Sequence, residues 1–62
     1  MNITDELVEK VAKKLSLMDA ERRMHPREAA KEWRQTLTER GRNHYRRDAR
    51  EILELISKEE SA

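Results

Sequence analysis

The side chains best suited to chemistry in this chain are arginines. Arg42, Arg46 and Arg50 recur at i, i+4 and i+8, one row of a helix, with Arg40 and Arg47 on an adjoining row. Asn43 and His44 lie between them, and Lys31 and Arg34 precede them by about two helical turns. A guanidinium bonds a carboxylate or a phosphate through two parallel N–H groups, so such a row suits an acidic protein patch or a phosphate backbone. The wider charge layout has the same sense. Residues 21–50 hold ten Lys/Arg against five Asp/Glu, while residues 1–20 hold three against four and residues 51–62 hold one against four. A net charge of +1 therefore conceals a basic middle. The competing explanation is a solvated face paired within its own helix to Glu39, Asp48, Glu51 and Glu54, because exposed charge runs usually have no partner. The sequence pI of about 8.1 is also below that of a dedicated nucleic-acid binder.

Other chemistry is sparse. His25 and His44 are the only histidines and have no carboxylate at ligand spacing, so no metal site is expected. There is no cysteine, which removes disulfides and thiolate ligands. Ser16, Ser57 and Ser61 have no base that the sequence would pair with them, and no Gly-rich phosphate loop occurs. The expectation is a protein that is not an enzyme and takes no cofactor. Trp33 and Tyr45 are the only aromatic residues and could stack on bases, but both share an apolar stripe with Leu37 and Ala49 and are expected in the core. Met18 and Met24 are expected to fill core space near a turn.

These side chains need helices to hold them. One Gly, one Pro and scattered β-branched residues predict an all-α chain. Thr4 or Asp5 should open a first helix over about 4–20, on which Leu7, Val8, Val11, Ala12, Leu15 and Met18 recur at spacings of three and four. Glu6–Lys10 and Glu9–Lys13 are the pairs expected on its outer side. Pro26 suits the first position of a second helix over about 26–37, with His25 as a linker residue before it. The segment 37–41 is ambiguous, since Thr38 could cap a third helix, Gly41 could close the second, or helix could run through at a cost of about 1 kcal/mol for the glycine. Tyr45, Ala49, Ile52, Leu53 and Ile56 mark a last helix over about 39–58, with Glu54–Lys58 on its outer face and a frayed tail over 59–62.

Residues 1–62 thus read as a single helical domain, favoured as a compact three-helix bundle with Trp33 near its centre. The alternative is a helical hairpin that dimerises into a four-helix bundle. A homodimer fits either arrangement, because the stripes of the first and last helices are long relative to the middle one. No apolar run is long enough for a membrane span, and a cytoplasmic protein is expected.

The opening Ile3-Thr4-Asp5-Glu6-Leu7-Val8, the mid-chain Trp33 and Leu37, and the closing Tyr45-Arg46-x-x-Ala49-Arg50-x-Ile52-Leu53 resemble the small helical proteins of bacteriophages and prophages, particularly actinobacterial ones. The resemblance spans most of the chain but rests on amphipathic spacing and a few identities. The arginine block departs from the acidic, alanine-rich character of those proteins. It implies a protein that acts by binding a macromolecule, and it carries over no site residue. The expected contact surface joins Arg40, Arg42, Arg46, Arg47 and Arg50 to Lys31 and Arg34, with a protein as partner or, alternatively, nucleic acid through phosphate contacts. On that expectation, reversing Arg46 and Arg50 to Glu abolishes partner capture without unfolding the bundle.

Overall fold

Thr4 opens the first helix. Its Oγ1 accepts from the backbone N–H of Leu7 at 3.1 Å, and Asp5 and Glu6 follow at the positive end of the helix dipole. The computed structural model describes residues 1–61 and contains three helices, α1 (Asp5–Glu21), α2 (Pro26–Gln35) and α3 (Glu39–Ser61), with no strand among the described residues. The all-α three-helix bundle expected from the sequence is the fold observed.

Pro26 occupies the first turn of α2, as its fixed φ favours. His25 is more than a linker: its Nδ1 accepts from the N–H of Arg27 at 3.2 Å and caps the helix. α2 stops two residues earlier than expected. The N–H groups of Thr36 and Leu37 both converge on the carbonyl of Glu32, at 3.0 and 2.9 Å, which closes the last turn. Thr38 then resolves the ambiguous segment, because its Oγ1 accepts from the N–H of Gly41 at 3.1 Å and its carbonyl from Arg42 at 3.0 Å. Gly41 therefore lies inside the first turn of α3 and is not a turn glycine. The segment 59–61, expected to fray, is helical. Ser61 donates to the Ser57 carbonyl at 3.1 Å, and Glu60 pairs with the amino group of Met1 at 3.3 Å. Residue 62, the end of the expected tail, lies outside the described residues.

A Cβ on Gly41 would sit 3.2 Å from Cδ2 of Leu37, the far end of a flexible side chain. Gly41→Ala is expected to stabilise the chain by about 0.5 kcal/mol, because the loss of backbone freedom in the unfolded state outweighs a small shift of Leu37. Urea unfolding of the two chains checks this, and a destabilised variant would mean that Leu37 cannot move aside.

α1 is the central element. It packs antiparallel to α3 and also against α2, and its buried row is Val8, Ala12, Ser16 and Ala20, at steps of four. The core joins Val8 and Ala12 to Ala49 and Leu53 of α3, with Ile3, Leu7, Val11, Leu15, Trp33 and Tyr45 packed around it. Small side chains at the centre of the seam let the helix backbones approach closely. The expected α1 stripe is thus displaced around the helix: Leu7, Val11 and Leu15 are half-buried, and Met18, expected in the core, is exposed. On α3, Ala49 and Leu53 are buried while Ile52 and Ile56 of the same expected stripe are exposed. Glu32 of α2 is buried where α1 turns into α2, and both its oxygens accept from Nη2 of Arg23, at 3.2 and 3.4 Å.

Candidate interaction surface

The arginine segment sits on the first half of α3, and the antiparallel pairing turns one row of it toward α1. Arg46 is the centre of that row. Its Nε and Nη2 donate to the two oxygens of Glu9 at 2.7 and 2.9 Å, a two-point bridge from α3 to α1. Its Nη1 donates to Glu39 at 2.6 Å and to Asn43 at 2.9 Å, and its guanidinium carbon lies 5.5 Å from the ring centre of Trp33. One turn earlier, Arg42 donates to the backbone carbonyl of Trp33 at 2.8 Å and to Glu39 at 3.3 Å. One turn later, Arg50 stands 3.5 Å from Asp5. The row expected to meet a partner therefore joins α3 to α1 and α2 of its own chain.

The ionisation of these groups follows from the contacts. The hydrogen bond from Arg46 holds the Glu9 carboxyl below the ordinary carboxylate value, and the same donor lowers Glu39. Arg46 is pushed in the opposite direction, up, first by its bond to Glu9 and then by that to Glu39. Tyr45 is raised as well, first by loss of solvent and then by its own hydrogen bond, in which its hydroxyl donates to Asp19 at 2.9 Å. Trp33 and Tyr45 face one another with ring centres 6.5 Å apart and planes inclined at 56°. Both rings pack against the core, so neither forms an open stacking platform.

Two of the five α3 arginines stand apart from this row. Arg40 and Arg47, with Asn43 and His44, stand together as a ridge on the exposed side of α3, and neither arginine makes an ion pair among the described residues. Lys31 and Arg34 are not gathered to this ridge. Arg34 lines a crevice between α1 and α2 with Lys13, Leu17 and Trp33, and Lys31 is exposed on α2. The seven basic residues grouped together by the sequence thus divide into an internal row, an outer ridge and two separate cations on α2.

Sequence reasoning missed Glu9 and Asp19. Glu9 was assigned a local pair with Lys13, whereas Lys10 and Glu6 do form theirs at 3.5 Å. The available signal was position: Glu9 directly follows the buried Val8 and so borders the α1–α3 seam. Of the four acidic groups expected to pair within α3, only Glu39 does so among the described residues, and Glu9 and Asp5 of α1 supply the other carboxylates. Reversal of Arg46 would consequently break its contacts with Glu9, Glu39, Asn43 and Trp33, which makes it unsuitable as a test of partner binding.

Among the described residues no helix is long and apolar enough to cross a membrane, and no three His, Cys, Asp or Glu side chains converge as a metal site requires. No family model, no curated protein and no solved structure matches this chain.

Proposed function

We propose that the protein is a small, non-enzymatic helical interaction module, cytoplasmic and of phage or prophage type, that binds an acidic protein surface through Arg40, Asn43, His44 and Arg47. The observation that carries this is the division of the arginines. Arg42 and Arg46 are held by groups of the same chain and Arg50 stands near Asp5, while Arg40 and Arg47 share an exposed ridge without a carboxylate partner among the described residues. The ridge spans about 10 Å, two turns of helix, and presents two forked donors with an amide and an imidazole between them. Surface Arg is enriched where interfaces concentrate their binding energy.

A nucleic-acid reading uses the same ridge, and the residue types favour it, since Arg and Asn on an exposed helix are those that read base edges. The following turns of α3 oppose it. Asp48, Glu51 and Glu54 are all exposed and would face a phosphate track extended beyond Arg47. A protein partner with a compact acidic patch fits two turns of positive charge better.

The variant R40E/R47E separates these outcomes. Both side chains are exposed and unpaired, so the change in folding stability is expected to stay within about 0.5 kcal/mol. Affinity capture from the source cells should recover at least one protein with the original chain that R40E/R47E loses. Equal capture by both chains rules out the ridge. Binding of a random DNA duplex that weakens steeply between low and near-physiological salt would instead support the nucleic-acid reading.

A further inference from the structure

The apolar stripes of α1 and α3 are wider than the seam they share, and the surplus faces outward. Leu15 and Met18 of α1 and Ile52 and Leu55 of α3 line one groove, and Ile56 follows Ile52 by one helical turn. Met18, Ile52, Leu55 and Ile56 remain 45, 40, 60 and 42% exposed. Contiguous exposed apolar side chains of this kind mark a surface that another molecule covers.

The two edges of the groove carry opposite charge. At the end of α1, Arg22 lines the groove, and within α1 Lys14 stands one turn before Met18, exposed and without an ion pair among the described residues. Asp19 also lines that edge and accepts from the Tyr45 hydroxyl, and Lys14 and Arg22 together leave the edge net positive. On α3, Asp48 and Glu51 line the groove, exposed, and neither makes an ion pair among the described residues. A partner that fits has apolar residues at its centre, acid opposite α1 and base opposite α3. The chain itself has that surface.

We propose that a second copy of this chain covers the groove, related by a two-fold axis that runs between α1 and α3 and parallel to them. This axis lays α1 of each copy against α3 of the other, so the basic edge meets the acidic edge twice and all four neighbouring helices run antiparallel. A two-fold axis across the helices would set α1 on α1 and α3 on α3, with basic edge on basic edge and acidic on acidic. The charge of the edges selects the first arrangement.

Sedimentation equilibrium of the full chain over a wide concentration range tests the proposal. A monomer–dimer equilibrium is expected. Leu55→Asp should weaken it about a hundredfold, since each dimer buries two copies of that side chain. Lys14→Glu and Glu51→Lys should each weaken it about threefold, and the two together should restore it. Far-UV circular dichroism establishes that each variant folds; should Leu55→Asp fail to fold, the charge exchange, on two exposed and unpaired residues, decides alone. A monomer at every concentration overturns the proposal. So does a dimer indifferent to Leu55→Asp in a folded chain. Failure of the double charge variant to recover overturns the α1-on-α3 arrangement.

Discussion

Arg46→Ala is expected to lower the melting temperature by about 10 °C, an effect of about 2 kcal/mol on a domain of this size. The loss combines a two-point bridge to a half-buried carboxylate with a guanidinium lying over an indole face, the latter ordinarily worth about 0.5–1 kcal/mol. Packing of the arginine stem between α1 and Trp33 is lost with it. Arg46→Lys keeps the charge but not the fork, and should fall between the two. Acid gives an independent check. Glu9 has a lower carboxyl pKa in the folded chain than its ordinary value of 4.5, so its contribution is complete above that value and disappears as pH falls through the lower folded one. The original chain should therefore lose more stability than Arg46→Ala between pH 5 and pH 3. Thermal melts of the three chains across this range decide it. A variant that melts with the original chain and keeps its acid slope would show that the bridge does not form in solution.

Leu53→Ala is expected to remove about 2–4 kcal/mol, as truncation of a buried leucine does when the space collapses only partly. Total stability for 62 residues is of the order of 3–9 kcal/mol, so this one change takes a large share of it. Leu53 is 4% exposed and packs against Val8, Ala12 and Ala49. Leu55, two residues further along the same helix, is the matching control: Leu55→Ala should alter unfolding by less than about 0.5 kcal/mol at concentrations where the chain is monomeric. Denaturant unfolding of both variants tests the placement of the seam. Similar losses from the two would mean that α3 is rotated about its axis relative to the arrangement described.

The helices were legible in the sequence because their ends are chemically marked. Thr4 caps α1, Pro26 starts α2, and Thr38 rather than Gly41 decides the start of α3. The rotation of each helix was not legible. Apolar residues on α1 occupy positions 7, 8, 11, 12, 15, 17, 18 and 20, an arc so broad that either edge satisfies spacing of three and four. The buried edge is the one that contains Ser16 and Ala20, whose small side chains carry little hydrophobic signal and matter instead through close backbone approach. The site suffered from the same gap. Arg42, Arg46 and Arg50 were correctly aligned as a row, but their spacing says nothing of what lies opposite. Glu9 is 37 residues from Arg46, and no local pattern reports a contact of that separation.

The central place of α1 also sets the order in which the protein can be made. α1 leaves the ribosome before α3, yet the two α3 residues that cover Val8 and Ala12 are Ala49 and Leu53. Until they emerge, α2 is the only neighbour α1 has, and Trp33 is the largest apolar side chain it can offer. Domains are usually completed from the N-terminal side during synthesis. Here the chain ahead of α3 can form no more than a helical hairpin, and closure of the core waits for Ala49 and Leu53.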